Sequence, residues 1–359
     1  MSDRQFPCNS CGANLMFTPG QQNLSCPYCQ SENEIDVEDI PIVENDFVQK
    51  VRDLEENPND DDLIEITEVK CSACAAEFSI EPNETAGECA YCATPFVLEP
   101  HTEKILKPQA LLPFKITSEE GKNQFREWTT KLWFAPSKLK QYAKTCEKVK
   151  GIYLPHWTYD SDTVTSYMGS RGEYYYVTES YNDSEGNRRT RQVRRTRWWP
   201  ASGAVQNTFD DILVVANESL PRKYTEELEP WDLEELVPYS EEYLSGFRSE
   251  RYSVGLGDGF DIARKQVDPV IVDTIHYHIG GDEQRIHSRD SSWNDVTFKH
   301  ILLPVWVSAY RFQDKVYRIV INARTGEVQG ERPWSWVKIA AASIAAIGLI
   351  AGCIYLFNK

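Results

Sequence analysis

Eight cysteines fall into two quartets with one shared spacing, Cys8-x2-Cys11-x14-Cys26-x2-Cys29 and Cys71-x2-Cys74-x14-Cys89-x2-Cys92. A Cys-x-x-Cys turn presents two thiolates to one ion, and two such turns close a tetrahedral four-sulfur site. The quartets lie 63 residues apart, so they read as a tandem repeat of one small unit. Pro27-Tyr28 and Ala90-Tyr91 fill the second knuckles alike, and Gly12 and Gly87 are expected at tight backbone turns. Each unit has too few apolar residues to fold unaided. Zinc binding, about 10–16 kcal/mol in small finger peptides, would make up that deficit. Four sulfurs leave no open coordination position, so two structural Zn2+ ions are expected, neither catalytic. An iron–sulfur cluster or redox-active dithiols are the other uses of these residue types.

A second group is cationic. Arg188, Arg189, Arg191, Arg194, Arg195 and Arg197 follow Tyr174-Tyr175-Tyr176 across a turn-like stretch at 182–187. In a hairpin, Arg189, Arg191, Arg195 and Arg197 would share one face with Val193 between them. Such a ribbon suits anionic lipid headgroups, an acidic protein or nucleic acid. The alternative is a solvated hairpin balanced by Glu173, Glu179 and Glu185. His276 and His278 are expected on one strand face, but no carboxylate stands beside them at metal-site spacing, and the six histidines read as core or surface residues. The run from Gly255 to Gly259 lacks the Lys-Ser/Thr of a phosphate loop, and there is no H-E-x-x-H or G-x-S-x-G. Neither an enzyme nor a small-molecule substrate is expected.

These groups must be positioned by a chain of 359 residues, enough for two or three domains. Charge is unevenly placed. Residues 1–110 carry 22 Asp/Glu against 6 Lys/Arg, and the remainder is close to balanced. An acidic front third argues against nucleic acid as its partner and favours a protein partner. The expected architecture is α+β: a cysteine unit over 1–38, an acidic linker over 39–66, a second cysteine unit over 67–100, and a β-rich α+β domain over 105–333. Within the linker, Phe47-Val48 and Val51-Leu54 could form a short helix. In the large domain, strand-like runs cover 110–116, 152–159, 174–178, 192–199, 212–215, 301–312 and 316–322. Thr117 and Glu120 form a capping-box pattern leading into Phe125, Trp128, Leu132 and Trp133 at helical spacing. A second helical run, 260–276, contains Pro269, which should kink or split it. Leu154-Pro155-His156-Trp157 and Leu303-Pro304-Val305-Trp306 share a Leu-Pro-x-Trp pattern and hint at two related β-units.

From Ile339 to Phe357 the chain runs 19 residues without a charge. As a helix this spans roughly 28 Å, close to a bilayer's hydrocarbon thickness. Trp334 and Trp336 sit where an interfacial aromatic belt belongs, and Lys338 can snorkel. Residues 336–357 are therefore expected to be a single transmembrane tail anchor. No signal-peptide pattern opens the chain, and paired cysteines at metal spacing suit a reducing compartment. The bulk of the chain is thus expected in the cytoplasm, on a cell inner membrane.

The combined pattern resembles bacterial membrane-anchored twin zinc-ribbon proteins, whose ribbons are similar to those of transcription factor IIB. Members are often catalogued as "primosomal protein N-prime (superfamily II helicase)". The resembling stretches are Leu111-Leu112-Pro113-Phe114, Tyr153-Leu154-Pro155-His156-Trp157, Thr196–Gly203, Gly280–Gln284, His300–Trp306 and Gly326–Trp334. The helicase label does not suit this chain, which lacks the phosphate loop a helicase needs. Proteins of this type are encoded beside phage-shock-protein-A-like and flotillin-like (SPFH) proteins. The resemblance therefore implies a membrane anchor or adaptor in an envelope-stress system, with those soluble proteins as partners, and it implies no catalytic residues.

Overall fold

The computed structural model describes residues 6–21, 23–35, 41–56, 62–71, 73, 77–79, 86–89, 91, 94–97, 101–145, 149–182, 184, 186–312 and 315–357. It mixes helix and sheet. β1 (Met16–Phe17), β2 (Asn23–Ser25) and β3 (Glu32–Glu34) form a small antiparallel sheet around the first cysteine quartet. β4 (Asn45–Asp46) and α1 (Phe47–Glu56) follow. Around the second quartet lie β5 (Leu63–Lys70), β6 (Glu77–Ser79), β7 (Ala86–Glu88), β8 (Pro95–Val97) and β9 (His101–Leu106). Next come β10 (Ala110–Leu111), α2 (Ser118–Lys131) and α3 (Ser137–Thr145). Two very long strands, β11 (Lys150–Asn182) and β12 (Arg188–Val215), form a hairpin. Then follow α4 (Arg222–Glu226), β13 (Val237–Pro238), β14 (Arg248–Ser249) and α5 (Leu256–Ile279). β15 (Glu283–Phe312), β16 (Lys315–Asn322), β17 (Val328–Gly330) and α6 (Trp336–Phe357) complete the order.

The Leu-Pro-x-Trp pattern marks a structural repeat. β11 and β15 run antiparallel with Leu154 opposite Leu303, and the surroundings match element for element about that pair. Pro155 O accepts from Ala216 N at 3.0 Å, and Pro304 O accepts from Ala323 N at 3.1 Å. Each proline's carbonyl faces the outer strand where that ladder ends, so its missing N–H leaves no ladder bond broken. Trp157 Nε1 donates to Val254 O, one residue before the Gly255 N-cap of α5. Trp306 Nε1 donates to Ile116 O, one residue before the Thr117 N-cap of α2. Four residues into each helix stands a glycine against that tryptophan. A Cβ on Gly259 would lie 2.8 Å from Trp157 Cδ1, and one on Gly121 would lie 3.2 Å from Trp306 Cδ1. Short parallel strands finish the match, β14 on Ile152 and Tyr153, β10 on Ile301 and Leu302. Each β-α-β-β repeat thus lends its first strand and helix to the hairpin of the other.

The middle of this sheet is covered on both faces, which is why residues 152–159 of β11 are buried without alternation. One face carries Tyr153, Trp157, Phe298 and Trp306 beneath α2 and α5. The other carries Ile152, Leu154, Val305 and Val320 beneath Cys71, Cys89, Tyr91, Leu220 and Leu228.

Several expectations change. The strand runs 152–159 and 174–178 are parts of one strand, as are 192–199 and 212–215, because the hairpin continues without a turn between them. α5 is continuous through Pro269. The proline lies on the exposed side, where water can satisfy the carbonyl left without its N–H donor. His276 and His278 are helical, so they point to different sides and do not pair as on a strand. Gly87 lies in β7 opposite Phe96, not in a turn. α2 forms with the expected capping box but stops at Lys131, leaving Trp133 in an exposed turn. The stretch read as a linker is docked over its described residues 41–56. β4 pairs with Thr297 and Phe298, and the Phe47 ring lies 4.8 Å from that of Phe260.

Candidate metal centre

The first quartet converges. The knuckle from Cys8 closes with Gly12 N donating to Cys8 O at 2.8 Å, and that from Cys26 closes with Gln30 N donating to Cys26 O at 3.0 Å. Both closing residues are left-handed, Gly12 at φ 75° and Gln30 at φ 60°, which is why a glycine suits the first. The β2–β3 hairpin and the Pro7–Asn14 bridge bring the knuckles face to face. Cys8 Sγ lies 3.6 Å from Cys29 Sγ, Cys11 Sγ lies 3.5 Å from Cys26 Sγ, and all four sulfurs lie within 4.8 Å of one another. A zinc ion with Zn–S bonds of about 2.3 Å in a regular tetrahedron requires S···S separations of about 3.8 Å. The cluster is compatible with that.

The surroundings favour thiolates. Ser31 Oγ lies 2.9 Å from Cys8 Sγ and 3.1 Å from Cys29 Sγ, and Ser10 N donates to Cys8 Sγ at 3.4 Å. The Ser31 hydroxyl, aided by backbone N–H groups, holds Cys8 down at about 6 and also lowers Cys29. Cys11 moves up to about 12: the Ala13 N–H pulls it down, but its contacts with the Cys26, Cys29 and Cys8 sulfurs outweigh that pull. Four thiols this close cannot all ionise without a cation among them.

Around Cys89 the described backbone repeats that of the first unit at the same offset of 63. Asn23–Glu34, Leu24–Asn33 and Ser25–Glu32 become Ala86–Val97, Gly87–Phe96 and Glu88–Pro95. Cys26 N donates to Ser31 O, and Cys89 N to Thr94 O, both at 3.0 Å. Cys71 and Cys89 are buried, whereas Cys74 and Cys92 lie outside the described residues. Ser31, which the sequence reading missed, and its repeat partner Thr94 both carry a hydroxyl. Overlaying the repeats would have found them.

The arginines sit on the hairpin as expected. β15 joins β11 only up to Gly172, so from Glu173–Arg197 to Asn182–Arg188 the ribbon is two-stranded, roughly 30 Å of free arm. Arg195 bonds Glu179 at 2.5 Å, and Arg191 lies 3.6 Å from it. Arg194 stacks over Tyr174 at 4.1 Å and Arg197 over Tyr175 at 5.0 Å. Arg188 and Arg189 flank the tip, both exposed. Glu185 lies outside the described residues.

Asp160, Asp210 and Asp211 also approach one another. Lys299 already supplies a cation there, 2.9 Å from both Asp211 and Glu44. His156 and His300 are buried in the sheet, with Nδ1 atoms 3.0 and 2.9 Å from Leu154 O and Leu106 O. Burial pushes both down to about 4. The unfolded chain, with histidines near 6.5, then takes up protons that the folded chain refuses. This stability is complete above pH 6.5 and is lost as pH falls toward 4, about 3 kcal/mol per histidine. Asp160, raised to about 6 chiefly by burial, works the opposite way over part of that window. The melting temperature of the full chain should therefore drop on acidification from pH 6.5, and His156→Gln/His300→Gln should flatten the slope. An unchanged slope would contradict the assignment.

At the other end, none of α6 is buried, and α6 is the one described helix long and apolar enough to cross a membrane.

The chain is similar to the uncharacterized protein YdjG of Bacillus subtilis (strain 168). Identity is 25% over 237 residues, which span 66% of this chain and 67% of that protein. No protein-family profile matches the chain. No solved structure matches it.

Proposed function

We propose that this chain is a membrane-tethered adaptor carrying two structural zinc ribbons. Cys8, Cys11, Cys26 and Cys29 hold one Zn2+, and Cys71, Cys74, Cys89 and Cys92 the other. α6 crosses the inner membrane once, with the bulk of the chain in the cytoplasm. The reading rests on one observation, the convergence of four sulfurs at one end of a chain whose other end is a bare apolar helix. A closed four-sulfur site builds structure and leaves no position for a substrate, so the ribbons present a surface. That surface would recruit soluble proteins, of the phage-shock-protein-A-like or SPFH type that the family resemblance implies, in an envelope-stress response.

The test is cross-linked isolation of the full chain from detergent extract, intact and as Cys8→Ser/Cys71→Ser. Soluble partners present with the first and lost with the second are expected. An identical partner set would remove the recruiting surface from the ribbons. The free arginine–tyrosine arm favours one second reading, nucleic-acid binding, since cations stacked on aromatic rings also suit phosphates and bases. Salt-sensitive retention of DNA by the full chain, abolished by Arg194→Ser/Arg197→Ser, would favour that reading over the adaptor.

A further inference from the structure

We propose that the turn between α2 and α3, residues 132–136, is a second membrane contact, seating Trp133 and Phe134 in the boundary between headgroups and acyl chains. The inference rests on the membrane-spanning reading of α6.

The turn is bonded to the base of that helix. Ser335 N donates to Phe134 O at 2.8 Å, and Lys338 Nζ donates to Ala135 O at 2.7 Å. The uncharged run begins at Ile339, one residue further on. The depth of the turn is therefore set by α6, at the level where headgroups meet hydrocarbon. There the Lys338 ammonium is drawn back from the apolar layer by the carbonyl it bonds.

Trp133 is 81% exposed and Phe134 40%, although Leu132, Ala135 and Leu139 beside them are buried in the same core as Phe125. A pinned turn thus holds two aromatic rings outward. Trp336, 78% exposed, stands at the same level. Tryptophan is enriched at such depths because its apolar body and polar N–H face the two phases at once. In sequence, Lys131 and Lys138 flank the turn and Arg332 and Lys338 flank Trp334 and Trp336, against Glu127, which pairs with Lys131 at 2.9 Å, and Glu331, a surplus of positive charge that suits anionic headgroups. The occupant of this surface is then the bilayer that α6 already crosses.

The full chain labelled with 5-fluorotryptophan, in nanodiscs of phosphatidylcholine and phosphatidylglycerol, tests this by fluorine NMR. Trp133→Tyr and Trp336→Tyr assign the two lines. When lipid with a nitroxide on its headgroup is added, both lines should be lost while those of core tryptophans keep their height. Loss of the Trp336 line with the Trp133 line at full height would overturn the second contact and leave the anchor standing. Retention of both would overturn the anchor and the contact together.

Discussion

Deletion of residues 336–357 is expected to move the chain from the membrane pellet to the soluble fraction. α6 has no buried residue and meets the body through the Lys338 bond to Ala135 O, outside the sheet, so its removal leaves the sheet intact. In water its 22 residues would expose an apolar cylinder about 33 Å long, which a bilayer of matching thickness covers. Trp133 and Phe134 cannot replace it. Two aromatic rings and a few lysines give reversible binding of the strength of one weak anchor, and salt weakens it further. Fractionation after a carbonate wash should recover the deleted chain in the supernatant and the intact chain in the pellet. A deleted chain that stayed with the membrane would mean that another element, the arginine arm first among them, carries the attachment.

Replacing Cys8 and Cys26 together by serine should remove one metal equivalent and unfold residues 6–35 while sparing the large sheet. Among its described residues the unit buries only Cys8, Leu15, Phe17, Leu24, Cys26 and Ile35. Its apolar contact with the rest runs mainly through Phe17, whose ring centroid lies 5.3 Å from that of Tyr243 and 6.3 Å from that of Phe247, and through Met16 beside Gly246. That is too little apolar surface to order some 30 residues, each costing on the order of 1 kcal/mol or more of backbone entropy. A structural zinc, on the order of 10 kcal/mol, changes the sign. Hydrogen exchange should show protection lost at β1–β3 and kept at β11 and β15. Equal protection in variant and parent would mean that docking on Tyr243 and Phe247 holds the unit without metal. In the proposed site thiolates are the ligands, so protons would compete for it and metal loss should accompany acidification.

How far the sequence reveals this molecule depends on whether the signal is local. The knuckles, the Thr117 capping box, the arginine hairpin and the apolar helix are each written in residues close together, where spacing fixes geometry. The Leu-Pro-x-Trp repeat is visible in the sequence, but the exchange of α2 and α5 between its halves is not, because it depends on pairings across 191 and 96 residues. Nothing local links Lys299 with Glu44 and Asp211, nor Arg324 with Asp232, at 2.7 Å, and Glu235. Pro269 misled because a proline's effect depends on which side of the helix it occupies. The acidic stretch after residue 39 misled through composition. Three of its apolar residues, Phe47, Val51 and Leu54, fall on one face of α1 and pack on the core, while Val48 on the other side is exposed.

The central claim is that both cysteine quartets are metal-held and structural. The direct measurement is zinc per chain, by elemental analysis of the full chain purified in detergent without added metal. Two equivalents are expected, falling to one in Cys8→Ser/Cys26→Ser and to one in Cys71→Ser/Cys89→Ser. A fully folded chain containing no zinc would contradict it.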